Sequence, residues 1–230
     1  SDQSGSYEVG TSLTVNVSPV FNKNDAGDAN LFELYKNGSL LKSQSSDFTE
    51  SDDIVVLDGN ISYQAKISYD QGSIKNNPTL GFADDRGRIL AGDKTSNNKT
   101  IRGRFKIWFS PVSSIPNTSA QVRALSNNVW DYNNQVTLNT GTTNKKFVVA
   151  IRTAKNNSAS LSALDETNNV PYTYNFIGTV NVVLPNPNTT TEEYRIYALE
   201  LDNAYPSNAK HNNSRSSKFS KRCFNVKQSF

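Results

Sequence analysis

The chain has 230 residues, a formal charge of +3, a hydrophobic fraction of 35%, one His, one Cys and no Met. One His and one Cys exclude a zinc site of the usual Cys/His kind and any disulfide within the chain. No stretch approaches the ~18 apolar residues of a membrane-spanning helix, so membrane insertion is not expected.

Asn, Ser and Thr make up roughly a third of the residues, a bias toward turns, caps and strands rather than helices. Residues 12–18 (SLTVNVS) alternate strictly, with Leu13, Val15 and Val17 on one face and Thr14 and Asn16 on the other, which predicts a half-buried strand. Residues 31–35 (LFELY) run through Lys36-Asn37-Gly38-Ser39 into Leu40-Leu41. Asn-Gly between apolar runs is the strongest short-range hairpin signal, because both turn positions need positive φ. Residues 61–69 (ISYQAKISY) alternate again, with Ile61, Tyr63, Ala65, Ile67 and Tyr69 sharing a face. The polar stretches 22–30 and 43–53 read as spacers. Short strands at this spacing predict a small immunoglobulin-like sandwich, without the Cys-Trp-Cys hallmark. Residues 76–99 read as a loop-rich passage with one short strand around 88–90, and the first module is expected to end near residue 98.

The second module, 99–230, opens with residues 100–109 (TIRGRFKIWF). Ile101, Gly103, Phe105, Ile107 and Phe109 face one way. Arg102, Arg104, Lys106 and Trp108 face the other, as a cationic surface with one aromatic. Thr118 and Gln121 stand at capping-box spacing ahead of Val122 and Leu125, which predicts one short helix near 119–126. Residues 135–139, 146–152 (KFVVAIR), 158–164, 172–176, 178–184, 193–201 and 222–230 follow as strands, with 146–152 central and largely buried. The expected fold class is all-β: two tandem antiparallel β-sandwich (Ig-like) modules, with one short helix in the second. Leu13, Val15, Val17, Phe105, Ile107, Val148, Ala150 and Ile151 are the expected core.

No acidic cluster (Asp52-Asp53, Asp84-Asp85, Asp25 with Asp28, Asp165-Glu166) has EF-hand spacing, and nothing selects a glycosidase pair among them. No catalytic residue, metal ligand or cofactor is assigned. The candidate interaction residues fall in three groups. Arg102, Arg104, Lys106 and Trp108 form the cationic strand face, read as an exposed sheet face, a protected edge, a polyanion surface or a subunit contact. Trp130 and Tyr132 are aromatics suited to sugar stacking. Lys210, Arg215, Lys218 and Lys221 lie in a tail with no acidic residue after Asp202, read as a dock for an acidic neighbour or a plain basic loop. A charge of +3 does not by itself imply nucleic acid.

The run Tyr7-Glu8-Val9-Gly10-Thr11-Ser12, followed by Phe21-Asn22-Lys23, resembles the opening of modules in virion structural proteins of large tailed bacteriophages. Arg104-Phe105-Lys106-Ile107-Trp108-Phe109 and Thr118-Ser119-Ala120-Gln121-Val122-Arg123-Ala124-Leu125 resemble their "R…WF…TSAxVRAL" segment. Phe147-Val148-Val149-Ala150-Ile151, Asp165, Tyr172 and Thr179-Val180-Asn181-Val182 resemble "FVVAIP…D…Y…TVxV", and Glu193-Tyr194-Arg195-Ile196-Tyr197 resembles a late "YKVY" strand. Arg152 stands where that family often has Pro, and Asn24 where it often has Gly. The order and spacing of these motifs extend the likeness over most of the chain. The resemblance implies a virion component of a tail fibre, baseplate, collar or head decoration, with other virion proteins and copies of itself as partners. It brings no catalytic residue. The expected function is therefore structural and non-enzymatic, acting through subunit contacts. The alternative is a carbohydrate-binding or adhesin module for a host-surface glycan or receptor, suggested by the Asn-rich loops with Trp130 and Tyr132.

Overall fold

The computed structural model describes residues 5–76, 83–84, 88–131, 135–139, 146–155, 161–165, 170–185, 190–200 and 223–228. The protein is all-β, with one short helix among the described residues. The chain divides into two compact units, Ser1–Gly103 and Arg104–Phe230.

The first unit holds β1 (Gly5–Glu8), β2 (Ser12–Val17), β3 (Ala29–Lys36), β4 (Ser39–Gln44), β5 (Glu50–Val55), β6 (Gly59–Tyr69), β7 (Lys75–Asn76), β8 (Ala83–Asp84), β9 (Gly92–Thr95) and β10 (Lys99–Arg104). One sheet has the order β1-β10-β6-β3-β4, with β9 also on β6; β2 pairs β5 in a second sheet, and β7 pairs β8. Val15 and Ile54 from the two-stranded sheet pack with Leu34, Tyr63 and Ile101 of the larger one, so the core lies between two layers. Leu13 and Val17 border that core, half-buried. The predicted hairpin is β3–β4: Lys36 pairs Ser39, and Asn37 and Gly38 carry φ of 50° and 81°, the primed turn whose twist matches the strands.

Stretch 43–53 is not all spacer, because β5 occupies its second half and pairs with β2. Its polar sequence hides a strand whose carboxylates are all engaged. Thr14 Oγ1 donates to Asp53 (2.6 Å), and Lys42 pairs Glu50 (2.6 Å). Asp52 accepts from the Tyr63 hydroxyl (2.5 Å) and from Lys36 Nζ (2.6 Å), joining the two layers. Burial pushes the Asp52 carboxyl up, but hydrogen bonds from Lys36 and Tyr63 and the Lys36 charge outweigh it, so it lies below its ordinary value. Burial, then the bond to Asp52, raises the Tyr63 phenol. Asp52→Asn is expected to cost the first unit about 1–3 kcal/mol at neutral pH, the usual cost of breaking a charged hydrogen-bonded group. A carboxyl depressed in the folded state stabilises fully above its unfolded value and stops doing so as pH falls through its folded value. Urea melts of wild type and variant should therefore converge in acid; a gap independent of pH would overturn this role.

The strand expected around 88–90 is found instead at β9. Residues 88 and 89 meet Gly72 instead: its carbonyl accepts from the Arg88 side chain through Nε (2.8 Å) and its N–H donates to Ile89 O (2.8 Å). Nor is 100–109 one strand. β10 belongs to the first unit's sheet and ends at Arg104, and a new sheet begins with β11 (Lys106–Val112). Between them the Phe105 carbonyl accepts from the Asp131 N–H (2.9 Å), in register with the Lys106–Trp130 pair of the new sheet, and the Arg152 guanidinium lies 3.8 Å from the Phe105 ring centroid.

The second unit continues with α1 (Ser119–Arg123), β12 (Asn127–Trp130), β13 (Gln135–Asn139), β14 (Lys146–Arg152), β15 (Leu161–Asp165), β16 (Val170–Thr173), β17 (Asn175–Val183), β18 (Thr191–Glu200) and β19 (Cys223–Gln228). Two sheets result, ordered β12-β11-β14-β18-β17 and β13-β19-β15-β16. The predicted stretch 172–176 is divided between β16 and β17 at Tyr174. β14 is central, as its unbroken apolar run predicts, because both of its faces are covered. Phe147, Val149 and Ile151 join Ile107, Phe109 and Leu199 on one side. Val148 and Ala150 join Trp108, Val122, Leu125 and Tyr194 on the other. The helix is where the capping box predicts it, with Thr118 as N-cap accepting from Gln121 N–H (3.3 Å), a bond worth about 1 kcal/mol. It is shorter than expected: Ala124 caps it, and Leu125 N–H folds back to Val122 O (3.2 Å) before the chain enters β12.

Candidate functional site

The residues of the predicted cationic face are divided between two sheets. Arg102 and Arg104 alternate outward on β10 while Ile101 and Gly103 point to the first core. Lys106 and Trp108 lie on β11, in the other sheet. Trp108 is only 2% exposed, because α1 and the segment leading into it cover its side of β11. Its ring packs 4.9 Å from Tyr194 and carries the Arg123 guanidinium at 5.5 Å, with Arg123 also donating to Val183 O (3.1 Å). Trp108 is thus a core residue: it does face away from Ile107 and Phe109, but that face is covered too.

Lys106 and Trp130 are cross-strand partners on β11 and β12, with the ammonium 5.7 Å from the Trp130 ring centroid. Both side chains are half-buried, so one face of the indole is already occupied by a cation. Tyr132, Lys210, Arg215, Lys218 and Lys221 lie outside the described residues.

Two surfaces carry no marker that sequence reasoning used. The first is β17, a terminal strand of the five-stranded sheet. A bulge between Phe176 and Gly178 leaves Ile177 without a cross-strand partner. Phe176 is 54% and Ile177 48% exposed, although Phe176 meets Tyr197 edge-on (5.7 Å) and lies under Arg195 (5.5 Å).

The second is a cleft of about 660 Å³ in the first unit. The two-stranded sheet covers the Ile61 and Tyr63 end of β6. Beyond it the same face, with Ala65, Ile67 and Tyr69, forms the floor of the cleft, and residues 17–24 form a wall. That wall is held in place. Asn24 takes a left-handed φ of 44°, Ala26 N–H donates to Lys23 O (2.8 Å), and Phe21 stacks on Tyr69 at 5.2 Å. Gly27 N–H donates to Asp70 O (2.8 Å) and Asp70 N–H to Asp28 O (2.9 Å). A Cβ on Gly27 would sit 2.4 Å from Asp70 O, so the backbones meet more closely than any other residue allows. Lys23, Lys94 and Lys99 line the cleft, and among the described residues no Asp or Glu does. The available signal was the Asn-rich run 22–30, whose Asn24 and Gly27 mark a built turn rather than a spacer.

Among the described residues no group of three His, Cys, Asp or Glu side chains is placed to hold a metal, and no helix is long and apolar enough to cross a membrane. No protein-family model matches the chain, and neither a curated protein nor a solved structure is similar to it at a significant level.

Proposed function

We propose that this chain is a non-enzymatic structural component of a bacteriophage particle, made of two Ig-like modules and acting through subunit–subunit contacts. The ordered run of virion-protein motifs along the sequence suggests the setting. The observation that carries the mode of action is β17, a nine-residue terminal strand with Phe176 and Ile177 turned out to solvent. A terminal strand with apolar side chains turned outward is a template for another chain, and natural monomers blunt such edges with charge. A second copy is the occupant that homo-oligomers of closed symmetry would supply. Light scattering on the full chain should give an oligomer, and Ile177→Lys should convert it to a folded monomer. Mass spectrometry of intact particles should find the chain at a fixed copy number. A wild-type chain that is monomeric and absent from particles would sink this reading.

The cleft of the first unit favours a second reading, a carbohydrate-binding or adhesin module. Its rim carries Asn22, Asn24, Gln64 and Asn97, side-chain amides that both donate to and accept from sugar hydroxyls. Trp130, half-buried under Lys106, is less suited to stack a sugar than the sequence suggests.

A further inference from the structure

We propose, on the carbohydrate-binding reading, that the first-unit cleft takes a carboxylated oligosaccharide. Its volume of about 660 Å³ falls within the ~300–1,000 Å³ of small-molecule sites. The apolar floor of Ala65, Ile67 and Tyr69, with Phe21 stacked against Tyr69, gives one end a platform for the C–H face of a pyranose ring. The amide rim meets the hydroxyls.

Charge selects the class. Lys23, Lys94 and Lys99 enter the lining, with no carboxylate among its described residues. Lys94 is exposed on β9 and has no ion-pair partner among the described residues. Lys23 pairs with Asp28 at 2.7 Å, but the Asp28 side chain is 86% exposed, and such surface pairs exchange readily for a better anion. A neutral sugar would leave the Lys94 ammonium unanswered. An acidic peptide would answer them but would make little use of the aromatic platform. The wall is fixed by the Asn24 turn and the Gly27–Asp70 clip before any ligand arrives, so binding costs little ordering of the protein.

The test is an array of tri-galacturonate, sialyllactose and an alginate tetrasaccharide, each beside its carboxyl-reduced form, with hexaglutamate as the peptide control. The full chain should bind at least one acidic saccharide and hold its reduced form about tenfold more weakly, as expected for one lost charged hydrogen bond. Lys94→Ala, at an exposed position, should cost about the same factor, the Lys94→Ala/Lys99→Ala pair more, and binding should weaken with salt. Arg102→Ala, exposed on β10 outside the cleft, should change nothing. Circular dichroism checks that each variant is folded. Equal binding of acidic and reduced saccharides, or of hexaglutamate, overturns the proposal. So does glycan binding that survives both lysine changes, which would leave the carbohydrate-binding reading standing at another surface. A blank array overturns both.

Discussion

Gly103→Ala is expected to destabilise the first unit by about 3 kcal/mol or more, the upper range for forcing volume into a packed site. A Cβ at this position would lie 1.7 Å from Leu57 O, 2.7 Å from Leu57 C and 2.9 Å from Val56 Cγ1. Two of these are backbone atoms, so no side-chain rotation relieves the clash. The opposing segment cannot retreat cheaply either. Val56 is buried, its N–H donates to Thr11 O (2.9 Å), and its carbonyl accepts from Gly10 N–H (2.8 Å). On its own side, Gly103 is held in register opposite Gly59 on β6. The matched control is Gly178→Ala, in a strand with open space around its Cβ and no positive φ, where stability should stay within ~0.5 kcal/mol. Urea unfolding, read for each variant as the transition of its own unit, separates the two; a first-unit midpoint for Gly103→Ala equal to wild type would disprove the close approach.

Phe147→Ala should cost the second unit about 3–5 kcal/mol, the range for emptying a buried phenyl site. Phe147 is 1% exposed on β14, between Pro111 of β11 and Leu199 of β18. Both neighbouring strands are hydrogen-bonded in place, so the site cannot collapse around the vacancy. Phe176→Ala is the contrast. It removes the same side chain from the exposed terminal strand, so it should change the monomer's stability far less and, on the proposal of subunit contacts through β17, the dissociation of the oligomer far more. Thermal melts of both variants at low and high concentration would distinguish them, since only the β17 change acts through association. A Phe147→Ala midpoint equal to wild type would show that the β14 core is not what holds this unit together.

Much of the fold was legible where local physics and tertiary context agree. Asn37-Gly38 supplies two positive-φ residues between apolar runs, and the hairpin follows. The unbroken run Phe147-Val148-Val149-Ala150-Ile151 is affordable only to a strand covered on both faces, and β14 is that strand. Thr118 and Gln121 place the helix start because a cap is a local bond. Of the eight expected core residues, six are buried and Leu13 and Val17 lie at the core's border. The alternation through residues 100–109 misled because period 2 says which residues share a face but not whether the ladder continues. The sheet changes between Arg104 and Lys106, and on β11 the second face is covered by Val122 and Leu125, so Trp108 passes from a supposed surface to a core.

The candidate site was the least legible part. Sequence sorted aromatic and basic residues into plausible groups, but exposure depends on what covers each face, and cover comes from segments far away in the chain. Trp108 is covered by α1, while Trp130 is half-covered by Lys106. Glu50–Val55 is polar enough to read as a spacer, and only Thr14, Lys36, Lys42 and Tyr63 from other strands make it a strand with satisfied carboxylates. The cleft exists because a two-stranded sheet covers one end of β6 and leaves the other to a turn pinned at Gly27. Sequence by itself determined the all-β class, the hairpin, the central strand and the helix start, since each is set by neighbours within a few residues. Tertiary structure alone decided which aromatics are buried, which strand stands last in its sheet and where a cleft lined by lysines opens. Burial and charge environment are properties of packed layers, and residues distant in sequence compose them.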